Sequence, residues 1–310
     1  MLVDIAALRD FILVVDAGSL TRAAALAGVS QPAMSQRIAQ LETQVGHRLL
    51  ERGPRGVEAT AAGLELYRGA QQVVRQVDRL AESLGSGIRD IRGAVSVGLP
   101  STVAPSLVPE LVPLVAARHP GIRLELFESM SGYVEELLGR GRLDLAVLFR
   151  PDATDRPGEV ALYEEELFLV TGTEVDPATE PASAAELVDR PLVAPGERSN
   201  LRHLVERFFT AAGVRPRVVA DVESLAAMVR IAQTGAASAV LPRSVATAFT
   251  GPDLTLRPLR PAVRRTVAVC TAAEFYEPRV AVLAVRDAVV DAVHHLADRS
   301  AWPGIAPVRR

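Results

Sequence analysis

Residues 19–52, SLTRAAALAGVSQPAMSQRIAQLETQVGHRLLER, admit few backbone paths. Ser19 or Thr21 can cap a first helix, Ala23, Ala24, Ala25 and Ala27 let a neighbour pack closely, and Gly28 supplies the left-handed residue that ends it. Ser30 is a second N-cap type, and Pro32 falls in the next first turn, where its missing N–H removes no helix bond. Met34, Ile38, Leu41 and Val45 then recur at helical spacing as one apolar stripe, and Gly46 stops the segment. The pattern predicts two short helices joined by a tight turn. A preceding helix over residues 4–17, with Ile5, Leu8, Ile12 and Val15 on one face and Gly18 behind it, is placed to pack against them.

The far face of the second helix carries Pro32, Ser35, Gln36, Ala39 and Thr43, flanked by Gln31 and Arg37. Small and hydrogen-bonding side chains suit a helix lying in a DNA major groove, where a glutamine or arginine addresses a base edge with paired hydrogen bonds. A polar face alone fits any solvated helix; the glycine turn, the capped second helix and its early proline occurring together favour DNA. The segment ERGPRGVEAT that follows reads as a hairpin wing carrying Arg52 and Arg55. Residues 20–56 hold five arginines against Glu42 and Glu51, a local positive excess in a chain whose net charge is -3.

Thr60 is placed to cap a long helix to about residue 86, with Tyr67, Ala70, Val74, Val77, Ala81, Leu84 and Ile88 in heptad spacing. Such a stripe predicts pairing with the same helix of a second subunit, the alternative being packing on the chain's own C-terminal part. GSG at 85–87 reads as a hinge. From Gly93 short apolar runs alternate with helical patterns, the rhythm of a parallel α/β sheet. The runs ELFLVTG and RRTVAVC bracket a second α/β set, so the chain is expected to cross to a second lobe and return. Ligands in such sheets sit beyond the carboxyl ends of the strands. The candidates there are Ser101, Thr102, Ser129, Ser131, Phe149 and Arg150 from one lobe, and Ser199, Asn200, Glu223 and Ser224 from the other. Hydroxyls at helix starts favour a small anion, and Arg150 is the expected carboxylate partner.

The runs GSLTRAAALAGVSQPAMSQRIAQLETQVGHRLLER and RGVEATAAG resemble the winged helix-turn-helix of LysR-type transcriptional regulators, and the later pattern resembles that family's effector domain over nearly the whole chain. The resemblance places Gln31, Pro32, Ser35 and Gln36 on DNA and Arg52 and Arg55 on the wing. It implies an α+β protein overall: an N-terminal winged helix-turn-helix (1–59), a linker and dimerisation helix (60–89), and a two-lobed α/β periplasmic-binding-protein-like effector domain. That domain is expected over 93–302, with lobe I near 93–165 and 271–298 and lobe II near 166–270. The chain departs from the family pattern at Ser35-Gln36-Arg37, where Ser-Arg-Gln is usual, at Leu50, where Phe is common, and at Ala237, where a second glycine is frequent. GRLDLAVLF and YEEELFLVTG resemble the nitrogen-assimilation members somewhat more than others.

Composition removes competing classes. All 34 basic residues are arginine, which excludes chemistry that depends on a lysine within these residues. HExxH, GxSxG, CxxC and GxGxxG are missing, and His47, His119, His203, His294 and His295 are scattered, so no enzyme is expected and no cofactor beyond a small-molecule effector. Cys270, in an apolar strand-like run, has no cysteine to pair with. No apolar run of membrane-spanning length and no leader pattern is present, so a cytoplasmic protein with no membrane partner is expected. The expected partners are double-stranded DNA, a second copy in a dimer or tetramer, the effector and RNA polymerase. Two rival readings are a solute-binding module whose N-terminal helices contact protein, and a regulator that binds DNA without any effector.

Overall fold

The computed structural model describes residues 4–53, 56–84, 91–152, 156–172, 180–248, 254–272 and 278–308. The proposed hinge at 85–87, Ile88 and the wing-tip residues Pro54 and Arg55 lie outside them, as do the side chains of Arg52, Ala81 and Leu84. Two compact units divide the chain, Met1–Arg89 with Arg140–Arg142, and Asp90–Gly139 with Leu143–Arg310.

The first unit opens with α1 (Ile5–Ala17), capped by Asp4 and ended by Gly18 at φ 59°. Ser19 caps α2 (Leu20–Leu26), accepting from the Arg22 N–H, and Ser30 caps α3 (Gln31–Val45), accepting from the Ala33 N–H. Between them Gly28 takes φ 67°, the conformation that favours glycine and turns the chain between the two helices. Phe11, Val14, Leu20, Ala23, Met34, Ile38 and Leu41 form the shared core. The wing is β1 (Leu50–Gly53) paired antiparallel with β2 (Gly56–Ala59). It is anchored twice: Glu42 on α3 accepts from the Leu49 and Leu50 N–H groups at 2.8 and 3.2 Å, and the Val57 N–H donates to Gly18 at 3.0 Å.

Thr60 caps α4 (Ala61–Leu84), its hydroxyl accepting from the Gly63 N–H at 2.9 Å. Part of the heptad stripe of this helix has neighbours in its own unit. Ala70 and Val74 are already buried against Leu8 of α1, with Ile5, Ile12 and Leu66 around them, so the first half of the stripe is covered within its own unit. The α1 positions Ile5, Leu8 and Ile12, which the sequence assigned to α2 and α3, receive α4 instead, while Phe11 and Val14 pack on α2 and α3.

The second unit is built on one continuous sheet. Its first lobe holds β3 (Gly93–Pro100), β4 (Ile122–Ser129) and β5 (Leu145–Arg150) with α5 (Ala104–Arg118) and α6 (Ser131–Gly139) between them. Two long strands, β6 (Glu159–Gly172) and β11 (Leu254–Thr271), pair antiparallel and serve both lobes. The second lobe adds β8 (Pro191–Ala194), α7 (Asn200–Thr210), β9 (Arg217–Asp221), α8 (Leu225–Gln233) and β10 (Ser238–Pro242), and the short β7 (Ala182–Ser183) pairs with β11. The strand order is β4-β3-β5-β11-β6-β10-β8-β9. Helix α9 (Arg243–Ala248) follows β10, and α10 (Val280–Asp298) returns to the first lobe, burying Val282, Val285, Val289 and Val293 in its core.

The chain then does something the helical pattern did not announce. Beyond α10, Ser300 takes φ 52°, Trp302 inserts into the first lobe 4.7 Å from the Tyr163 ring, and β12 (Ile305–Ala306) pairs with Glu165 and Glu164 of β6. The first lobe is therefore completed by residues past the last helix.

Candidate functional site

Three buried positions of α3 (Met34, Ile38 and Leu41) fix which way the helix faces. Gln31, Pro32, Gln36, Ala39, Gln40, Thr43 and Gln44 are consequently exposed, and Ser35 is half-buried. The face contains no carboxylate, and Pro32 and the Ser30 cap leave the N-terminal turn open for approach. This is the surface that a groove-reading helix needs. Arg37 is a correction: its guanidinium is engaged by Asp10 of α1 at 2.9 Å, and Asp10 is buried. Its first role is to hold α3 on α1, because a carboxylate sunk between two helices needs a cation. The side chains of Arg52 and Arg55 are not among those described.

In the second unit the two lobes meet over a narrow cleft lined by Pro100, Ser101, Thr102, Met130, Ser131 and Phe149 of the first lobe, Ser199, Leu201, Leu225 and Met228 of the second, and Arg265 of β11. Five sequence candidates meet there: Ser101, Thr102, Ser131, Phe149 and Ser199. The others are close in sequence but turned to different work. Ser129 lends its backbone carbonyl to the Ser101 N–H at 3.1 Å. Asn200 starts α7 and donates its N–H across the lobes to the Ser131 hydroxyl at 3.4 Å. Glu223 accepts from the Gly196 N–H at 3.1 Å, and Ser224 caps α8.

Arg150 is the second correction. It lies outside the cavity, bound by both oxygens of Glu159 at 2.6 to 3.1 Å and by Glu135 at 2.9 Å. These bonds, above all to Glu159, raise its already high pKa. Burial pushes Glu159 upward, but its bonds to Arg150 outweigh that and leave its carboxyl below the ordinary range. Strand geometry explains the misplacement, since consecutive residues point to opposite faces and Phe149 already takes the cavity side. The cation that reaches the cavity is Arg265, nearly fully buried and stacked 3.3 Å from the Phe149 ring centre. Its Nε donates to Glu165 at 2.6 Å, and its Nη2 donates to Thr102 at 3.2 Å. A sequence signal existed: Arg265 shares the strand phase of the buried Val267 and Val269.

Cys270 lies beside Arg150 on the other face of β11, and burial pushes its thiol up to about 12. No group of three or more potential metal ligands is found among the described residues. Among those residues no helix is long and apolar enough to cross a membrane.

A helix-turn-helix with an exposed polar reading face, joined in one chain to a two-lobed α/β domain with a small cleft, defines a DNA-binding regulator with a ligand-binding domain. The chain belongs to the LysR family: residues 5–64 match the family's bacterial regulatory helix-turn-helix, and residues 89–293 match the LysR substrate binding domain. The nitrogen assimilation regulatory protein nac of Escherichia coli (strain K12) is 33% identical over 245 residues, 79% of this chain and 80% of that protein. A probable hydrogen peroxide-inducible genes activator of Mycobacterium avium is 31% identical over 248 residues, 77% of this chain and 78% of that protein. Among solved structures, full-length CbnR complexed with its target DNA has a TM-score of 0.67 at 25% identity, covering 94% of this chain and 99% of that one. A full-length OxyR variant from Pseudomonas aeruginosa has a TM-score of 0.71 at 21% identity, covering 100% of both chains, a likeness of fold. This protein is a LysR-type DNA-binding transcription regulator with an effector-binding domain.

Proposed function

We propose that this regulator reads its operator through Gln31, Pro32, Ser35 and Gln36 of α3, with Arg52 and Arg55 adding sequence-independent affinity from the wing. A small anionic metabolite in the interlobe cleft changes how it binds DNA. The observation that carries the reading is the exposed, carboxylate-free face of α3, held in place by a buried opposite stripe. The hydroxyls of Ser101, Thr102, Ser131 and Ser199 around one cavity support the effector role, since helix starts and hydroxyls together stabilise negative charge. The protein acts in the cytoplasm as a homo-oligomer, with no resident cofactor and no catalytic activity, and meets RNA polymerase at its promoters.

The nac relatives favour targets in nitrogen assimilation. The peroxide-named relatives point to redox control; against that stands the single cysteine of these 310 residues, buried and with a raised pKa. The test is a mobility shift of the purified protein on its own upstream intergenic DNA at two salt concentrations. The reading requires specific binding that weakens with salt and is lost in Gln36→Ala and Arg52→Ala. A protein that binds no DNA even at low salt is instead a solute-binding module.

A further inference from the structure

The cleft is more selective than an anion site needs to be. Arg265 is the one cation among its lining residues, and no carboxylate lines it. Most of the wall is apolar: Pro100, Met130, Phe149, Leu201, Leu225 and Met228. Two buried polar groups face this wall incompletely used. Arg265 spends Nε on Glu165 and Nη2 on Thr102, leaving Nη1 with no hydrogen-bond partner among the described residues. Ser199, only 4% exposed, occupies the N-cap of the 11-residue α7 yet makes no capping bond, which leaves its hydroxyl available to the cavity.

We infer that the effector is a small organic monocarboxylate: its carboxylate bridges Arg265 Nη1, the Ser199 hydroxyl and the first turn of α7, and its apolar body packs on Met130, Leu201, Leu225 and Met228. This rests on the reading of the cleft as the effector site. One carboxylate matches one guanidinium whose charge is already shared with Glu165 at 2.5 Å. A second anionic group finds no second cation among the lining residues, only the hydroxyls of Ser101 and Ser131 and hydrocarbon, and burying a charge without a charged partner is unfavourable. The cleft is nearly closed: its free space is about 20 Å³, room for about one water, so only a small ligand enters, and it does so as the lobes part. The Asn200 N–H is taken by Ser131, but the next N–H groups of the first turn of α7 have no partner within the helix and add to the attraction for the carboxylate.

The full-length protein is tested by calorimetric titration and thermal melting with benzoate and 3-methylbutanoate, their amides benzamide and 3-methylbutanamide, and with succinate and inorganic phosphate. The expected result is binding of at least one monocarboxylate, with its amide and both dianions at least about tenfold weaker. Arg265→Gln combined with Glu165→Gln exchanges the buried ion pair for a neutral pair, so the fold keeps its partners while the preference for carboxylate over amide disappears. Ser199→Ala, which leaves no buried charge behind, weakens the same carboxylate. Tighter binding of succinate or phosphate, equal binding of acid and amide, or no binding by either carboxylate at its highest soluble concentration overturns the inference. DNA binding measured on the same preparation separates the two levels. If it is present without carboxylate binding, the regulator stands and the ligand class falls; if it is absent, the regulator reading fails whatever the cleft binds.

Discussion

Closure of the two lobes depends on a glycine. A Cβ built on Gly132, at the start of α6, stands 2.1 Å from the Arg198 carbonyl oxygen, whereas ordinary contact begins near 3.4 Å. The obstacle is backbone and does not swing aside, so Gly132→Ala must part the lobes locally by about 1.3 Å, the difference of those distances. The neighbouring bond from the Asn200 N–H to the Ser131 hydroxyl is already 3.4 Å long and breaks with any such movement. Overpacking of this kind costs roughly 1–3 kcal/mol. In a unit of this size each kcal/mol lowers the melting temperature by roughly 2–4 °C, so a fall of roughly 2–12 °C is expected. Gly139 provides the control. It closes the same helix and a Cβ there meets nothing within 4 Å, so Gly139→Ala is neutral or stabilises by up to about 1 kcal/mol through the unfolded chain. Thermal melts of both variants in parallel decide the matter. Equal melting temperatures for the two refute the claim that the lobes touch through backbone at Gly132.

Three further expectations follow from the same geometry. Arg37→Ala should lower stability by about 1–2 kcal/mol in chemical denaturation, because it strands the buried Asp10 carboxylate, while the exposed Gln36→Ala leaves stability unchanged. Cys270 should resist alkylation in the native protein at neutral pH and react once the protein unfolds, because burial holds its pKa near 12; rapid native labelling contradicts the burial. Glu159 has a folded pKa below its unfolded value of 4.5, so its contribution is complete above that pH and is lost as the pH falls through the folded value. Glu159→Gln should therefore flatten part of the acid limb of a stability-against-pH curve.

The parts of this molecule legible in its sequence are those decided by neighbours along the chain. Ser19, Gly28, Ser30, Pro32 and Gly46 act within one turn of themselves, and the helices they bound lie where the pattern places them. The α/β alternation after Gly93 is equally local, since each strand is a short apolar run. What depends on partners far off in sequence was less accessible. The first half of the α4 stripe looked unpartnered because Ile5, Leu8 and Ile12 of α1, which receive it, read as the face for α2 and α3, a role taken by Phe11 and Val14. Arg150 looked like the ligand's cation because it ends a strand, yet strand parity sends it toward Glu159 and gives the cleft to Phe149. Arg265 reaches the cleft only because β11 pairs with β6 and sets it opposite Glu165, a register between residues 100 apart. Trp302 lies beyond the last periodic segment, in a tail whose only sequence signal is a lone aromatic among prolines and glycine.

The central claim is that α3 reads base sequence while the wing supplies general affinity. The most direct test measures the wild-type protein and Gln36→Ala against a panel of single-base variants of one bound site, at constant salt. The account predicts that Gln36→Ala loses discrimination at one or two adjacent base pairs, by about 1–3 kcal/mol, with its binding to unrelated DNA unchanged. A uniform loss across every site in the panel would contradict it and reduce α3 to a phosphate contact.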